Sequence, residues 1–105
     1  RRINWIIGLE YSSTLNQIKE FTDFVSNYLN ESSNFVVNEN FKAFVRLDKF
    51  NDSSIDILIY CFTSTNDWDA FLKIKEELAM QIKKKIESIG LNFAFPSQSI
   101  YIEKN

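Results

Sequence analysis

Asp52-Ser53-Ser54-Ile55-Asp56-Ile57-Leu58-Ile59-Tyr60-Cys61-Phe62-Thr63 reads as a turn that opens onto a strand, apolar at nearly every position after Asp56. A strand that is apolar on both faces needs helices over one side and a second cover over the other. Thr65-Asn66-Asp67-Trp68 follows at once and carries the polar and acidic residues that start a helix.

Downstream of that start, Phe71, Ile74, Leu78, Ile82, Ile86 and Ile89 recur at three- and four-residue spacing, with Thr65 or Asp67 as the cap. Asp67 and Asp69 suit the positive end of the helix dipole, lysines crowd the last turns, and Gly90 ends the helix. Beyond it, Leu91 to Phe95 leads to Pro96, which has no N–H for a ladder and marks an edge or a strand start. A short strand is predicted there, with Ile100 and Ile102 on one face and Tyr101 on the other.

Upstream, Lys49 to Ser53 is the predicted turn, and Phe41 to Leu47 alternates as a strand. Asn30 to Asn40 is polar and Asn-rich, a loop with room for a short extended piece around Phe35-Val36-Val37. Thr14 and Gln17 form a capping box that starts a helix with the apolar stripe Leu15, Ile18, Phe21, Val25 and Leu29. Ile3 to Tyr11 alternates, with Ile3, Trp5, Ile7, Leu9 and Tyr11 on one face, and Gly8 marks a bulge or a close neighbour. The resulting order, β-α-β-β-α-β, predicts an α+β fold: a two-layer ferredoxin-like sandwich with both helices on one face of an antiparallel sheet.

A length of 105 residues suits one domain over residues 1–105, and 45% hydrophobic residues with ten Phe exclude a disordered chain. A net charge of −2 sets up no field for nucleic acid or an anionic membrane, and Lys83-Lys84-Lys85 reads as a solvated helix face. The single Cys61 stands among apolar strand residues, and the chain has no His. That excludes a Cys–His nucleophile and a thiolate metal cluster, and leaves Cys61 as a small buried hydrophobe. No stretch has the length of a membrane span and no signal peptide is visible. The start Arg1-Arg2-Ile3, without Met and already in strand pattern, reads as a piece cut from a longer protein.

Catalysis finds no support. Asp52 and Asp56 flank a turn and a strand start, where carboxylates cap or face water rather than converge in a cleft. Only two glycines occur, so no phosphate-cradling loop and no cofactor site is predicted. RNA-recognition modules share this fold and stack bases on central-strand aromatics, for which Phe44, Tyr60 and Phe62 are candidates on the open face, as is Trp5 or Ile6. The local sequences do not match that module's motifs, and Ile and Leu fill the neighbouring positions. If Ile55, Ile57, Ile59 and Cys61 face the helices, then Leu58, Tyr60 and Phe62 form an apolar patch on the other side. Such a patch marks an interaction surface.

Four segments carry a resemblance. Glu10-Tyr11-Ser12-Ser13-Thr14 follows a strand, Asp52-Ser53-Ser54-Ile55-Asp56-Ile57 opens one, and Thr65-Asn66-Asp67-Trp68 opens a helix. With the ending Phe93-Ala94-Phe95-Pro96-Ser97-Gln98-Ser99-Ile100-Tyr101, they resemble the small-conductance mechanosensitive channel (MscS) family, in order and spacing along essentially the whole chain. The resemblance implies a C-terminal cytoplasmic domain of an integral inner-membrane protein, tied to the membrane only through segments ahead of Arg1. It implies a homo-oligomer of seven subunits whose domains wall a vestibule with side portals, through which ions and small osmolytes pass. In that setting no enzyme activity, cofactor or nucleic-acid partner is expected. Asp52, Ser53 and Ser54 would fix the hairpin turn. Leu58, Tyr60 and Phe62 would meet a neighbouring subunit, as would Phe95 and Pro96, which would also steer the last strand onto the sheet. A second reading is a regulatory ferredoxin-like domain that binds a small molecule at a subunit interface, against which the lack of Gly-rich loops counts.

Overall fold

The structure, a computed structural model, describes residues 1–95. Four strands and two helices lie among them: β1 (Arg2–Leu9), α1 (Leu15–Glu31), β2 (Phe35–Val36), β3 (Phe44–Phe50), β4 (Ile55–Thr63) and α2 (Trp68–Ser88). β4 is the centre of the sheet. It pairs antiparallel with β1 along one edge, from Arg2↔Phe62 to Leu9↔Ile55. Along its other edge it pairs with β3, from Phe44↔Tyr60 to Phe50↔Ile55, and then with β2 at Phe62 and Thr63.

Both helices cover one face of this antiparallel sheet, giving the expected α+β architecture. The Thr14 hydroxyl accepts from the Gln17 N–H at 3.1 Å while the Gln17 side chain accepts from the Thr14 N–H at 2.9 Å, so the capping box closes at the start of α1. Of the two candidate caps for α2, Asp67 accepts from the Ala70 N–H at 2.9 Å, whereas Thr65 accepts from Asp67 N one step earlier. Gly90, at φ 79, ends the helix in the left-handed region that glycine tolerates best. Ile18, Phe21, Val25 and Leu29 of α1 and Phe71, Ile74, Leu78, Ile82 and Ile86 of α2 share one core with Ile3, Leu9, Val45, Ile57, Ile59 and Cys61.

Several boundaries differ from the sequence reading, each for a local reason. The second strand, expected over Phe41 to Leu47, runs instead from Phe44 to Phe50. Its start is delayed because the Asn38 carboxamide accepts from the N–H groups of Asn40 and Phe41 and holds them in a tight turn. Its end is extended by a β-bulge between Leu47 and Lys49, which restores pairing past the expected turn. The turn itself shrinks to Asn51–Ser54, closed by the Asn51 N–H on the Ser54 carbonyl at 2.8 Å. Leu15, counted in the α1 stripe, is 76% exposed at the first position of the helix. Tyr11 falls outside β1, where its hydroxyl donates to the Asn51 carbonyl and its ring stacks on Phe50 at 6.4 Å. The loop's extended piece is real as β2. The predicted last strand, with Pro96, lies outside the described residues.

Cys61 is fully buried, and burial alone pushes its thiol up from 9.0 to about 12. A thiol whose pKa is raised on folding contributes stability that is whole below the unfolded value and is lost as pH climbs through the folded one. Between pH 9 and about 12 the chain should therefore lose more stability than a Cys61→Val variant does. Parallel urea titrations at pH 8 and pH 11 test this, and equal losses would contradict it.

Candidate functional site

Alternation along β4 sends Ile55, Ile57, Ile59 and Cys61 toward the helices, all buried. Leu58, Tyr60 and Phe62 point the other way and stay half-buried, with no layer over them among the described residues. The register sets their neighbours: Ile6 and Arg46 flank Leu58, Asn4 and Phe44 flank Tyr60, and Arg2 lies opposite Phe62. Ile6 is 52% exposed there.

The aromatic rings form one connected row across this face. Phe41 meets Phe62 edge-on at 5.2 Å, Phe62 meets Tyr60 edge-on at 5.5 Å, and Tyr60 lies 6.1 Å from Phe44. Arg2 sits over Tyr60 at 5.9 Å and Arg46 over Phe44 at 6.0 Å, so two cations frame the row. Phe41 is the member that the strand pattern missed; the Asn38 turn that delays β3 is what presents it to Phe62. Among the described residues the face thus offers rings, aliphatic carbon and guanidinium charge, with no nucleophile or acid–base pair.

One end of the face is closed by the β3–β4 turn. Asp56, expected to cap or face water, is instead only 6% exposed. Its two oxygens accept from Ser54 Oγ at 2.7 Å and Asn51 Nδ2 at 3.3 Å. The Asn51 side chain also accepts from the Asp52 N–H at 2.9 Å, so Asp52 enters the turn through its backbone. Ser53 and Ser54 line a shallow hollow with Gly8, Ala94 and Phe95. A Cβ on Gly8 would come within 3.3 Å of the Ser54 Cβ, so glycine is what lets the turn close over β1. Phe95 stands at the rim, 73% exposed, beside Gly8 and the β3–β4 turn.

In the lysine run Lys83 and Lys84 lie on an exposed helix face, as expected, and Lys85 is drawn inward. Lys83 pairs with Glu87 at 2.7 Å, while Lys85 reaches Glu20 of α1 at 3.1 Å and lies over the Phe24 ring at 5.0 Å. Among the described residues no helix is long and apolar enough to cross a membrane, and no group of three His, Cys, Asp or Glu is placed to hold a metal ion.

Comparison with known proteins matches residues 3–93 to the family described as mechanosensitive ion channel MscS, C-terminal. An uncharacterised MscS family protein of Aquifex aeolicus is 36% identical over 99% of this chain and 28% of its own length. The low conductance mechanosensitive channel YnaI of Escherichia coli is 31% identical over 98% of this chain and 29% of its own. This chain therefore spans less than a third of either relative. In fold it is similar to the cryo-EM structure of Arabidopsis thaliana MSL1, with a TM-score of 0.78 at 16% identity, over 91% of this chain and 34% of that one.

Removing the Asp56 carboxylate leaves the Ser54 hydroxyl and the Asn51 amide without their acceptor, so Asp56→Ala should cost about 1–3 kcal/mol. Asp56→Asn keeps one carbonyl acceptor and should cost less. Urea unfolding of both variants checks the order, and an Asp56→Ala chain as stable as the parent would refute it.

Proposed function

From the premise that the chain belongs to the MscS family of mechanosensitive ion channels as its C-terminal domain, we propose that it is an assembly domain. In this reading it joins copies of itself on the cytoplasmic side of the cell membrane. Seven copies wall a vestibule whose gaps admit ions and small osmolytes while the pore relieves osmotic shock. The family is one of ion channels rather than enzymes, and nothing on the open face calls for a reaction.

The observation that carries the proposal is the uncovered row of Phe41, Phe62, Tyr60 and Phe44 with Leu58 and Ile6 beside it. A contiguous apolar patch of this kind, rimmed by Arg2 and Arg46, is the composition of an interface core with a polar rim. Ring assembly needs heterologous contacts, so this face would meet a different patch on the next copy.

The test uses the full-length channel. Tyr60→Glu places a charge in the middle of the row and should lower assembly at least about tenfold, a loss of about 1.4 kcal/mol or more per contact. The same substitution in the isolated domain should shift stability far less, because the side chain is not in the helix-covered core. Native mass spectrometry reads the assembly and patch recording reads the conductance. A parent channel without tension-dependent conductance would overturn the channel role, and a Tyr60→Glu channel that assembles normally would overturn the role of the face.

A further inference from the structure

The open sheet face and the helix layer lie on opposite sides of this domain, and each leaves apolar side chains in water. The two helices contribute unequally. Past its first residue, α1 turns Asn16, Lys19, Asp23 and Asn27 outward. On α2, by contrast, Trp68, Leu72 and Met80 are exposed, and Glu76 fills the exposed position between Leu72 and Met80. Residues four apart lie on one side of a helix, so these make a single stripe. The core does not need it, because Phe71, Ile74, Leu78, Ile82 and Ile86 carry the buried side of α2.

The stripe matches the row of rings in length. From Trp68 to Met80 the helical rise amounts to about 18 Å. Ring-to-ring steps of 5.2, 5.5 and 6.1 Å carry the row from Phe41 through Phe62 and Tyr60 to Phe44, at most about 17 Å.

The two also match in charge. Arg2 and Arg46 lie over rings, and among the described residues neither forms an ion pair. Glu76 likewise has no ion-pair partner among the described residues. Around it Lys73 holds Asp69 at 3.3 Å, Lys75 lies over the Phe71 ring at 5.5 Å, and Asp67 caps the helix.

On the reading of the open face as an assembly surface, we propose that the α2 stripe of the next copy is what that face receives. Trp68, Leu72 and Met80 lie along the rings. Glu76, near the middle of the stripe, meets Arg2, which sits over Tyr60 near the middle of the row. A head-to-tail contact needs two different patches that one copy can use at once, and opposite sides of a two-layer domain meet that need. The neighbour's helix gives β4 on its outer side the kind of cover that its inner side already has. Two open faces set against each other would instead bring the arginines of both copies together, an unfavourable like-charge contact.

Charge exchange in the full-length channel, read by native mass spectrometry, tests the pairing. Glu76→Arg and Arg2→Glu should each lower assembly roughly tenfold, and the two together should return it to within about threefold of the parent. Both side chains are exposed, so the isolated domain should keep the parent's urea midpoint in all three variants, and a loss of assembly then reads the contact and not the fold. Leu72→Glu, which sets a charge against the rings, should lower assembly as well. Single variants that assemble like the parent would overturn the proposal, as would a double variant no better than the singles. A channel that Tyr60→Glu takes apart and Leu72→Glu leaves whole would overturn α2 as the partner while the face itself stands. Normal assembly of Tyr60→Glu would overturn the face, and the stripe's place on it with it.

Discussion

Everything in this fold leans on one strand that is apolar on both faces and paired on both edges. β4 runs nine residues, from Ile55 to Thr63, with β1 along one side and β3 followed by β2 along the other. Ile57, Ile59 and Cys61 are 0% exposed beneath the helices. Burying an isoleucine side chain contributes about 1.5–3 kcal/mol, so this row fixes which way the strand must face. A shift of one residue would bury Leu58, Tyr60 and Phe62 in its place and expose the isoleucines.

Fixing the inner row also fixes the outer one. Tyr60 and Phe62 find ring partners in Phe44 and Phe41, and Arg2 and Arg46 settle over two of the rings. Among the described residues no helix covers them. The turn that feeds β4 is held by Asp56, Ser54 and Asn51, and Gly8 yields the space into which that turn closes. A single strand therefore ties together the core, the turn and the outward row of rings.

Much of this was legible in the residues themselves. The period of β4, the capping box at Thr14, the α2 stripe and the stop at Gly90 are local signals, and each reads the same in isolation as in the fold. What was not legible depended on contacts between distant segments. The start of β3 moved because Asn38 captures two N–H groups, and its end moved because a bulge absorbed an extra residue. Asp56 looked solvated because nothing in its neighbourhood of sequence says that Ser54 and Asn51 will fold over it. Phe41 joined the open face only through that displaced turn, so the row of rings could be half seen from β4 alone. Lys85 reads as a surface charge until α1 brings Glu20 and Phe24 beside it.

The central claim is that the outer face of β4 is covered by another copy of the chain when the channel is whole. Hydroxyl-radical footprinting of the isolated domain and of the full-length assembly compares that face directly in the two states. Tyr60, Phe62 and Phe41 should become protected in the assembly, while buried Phe21 stays unlabelled in both. Equal labelling of Tyr60 and Phe62 in domain and assembly would contradict it.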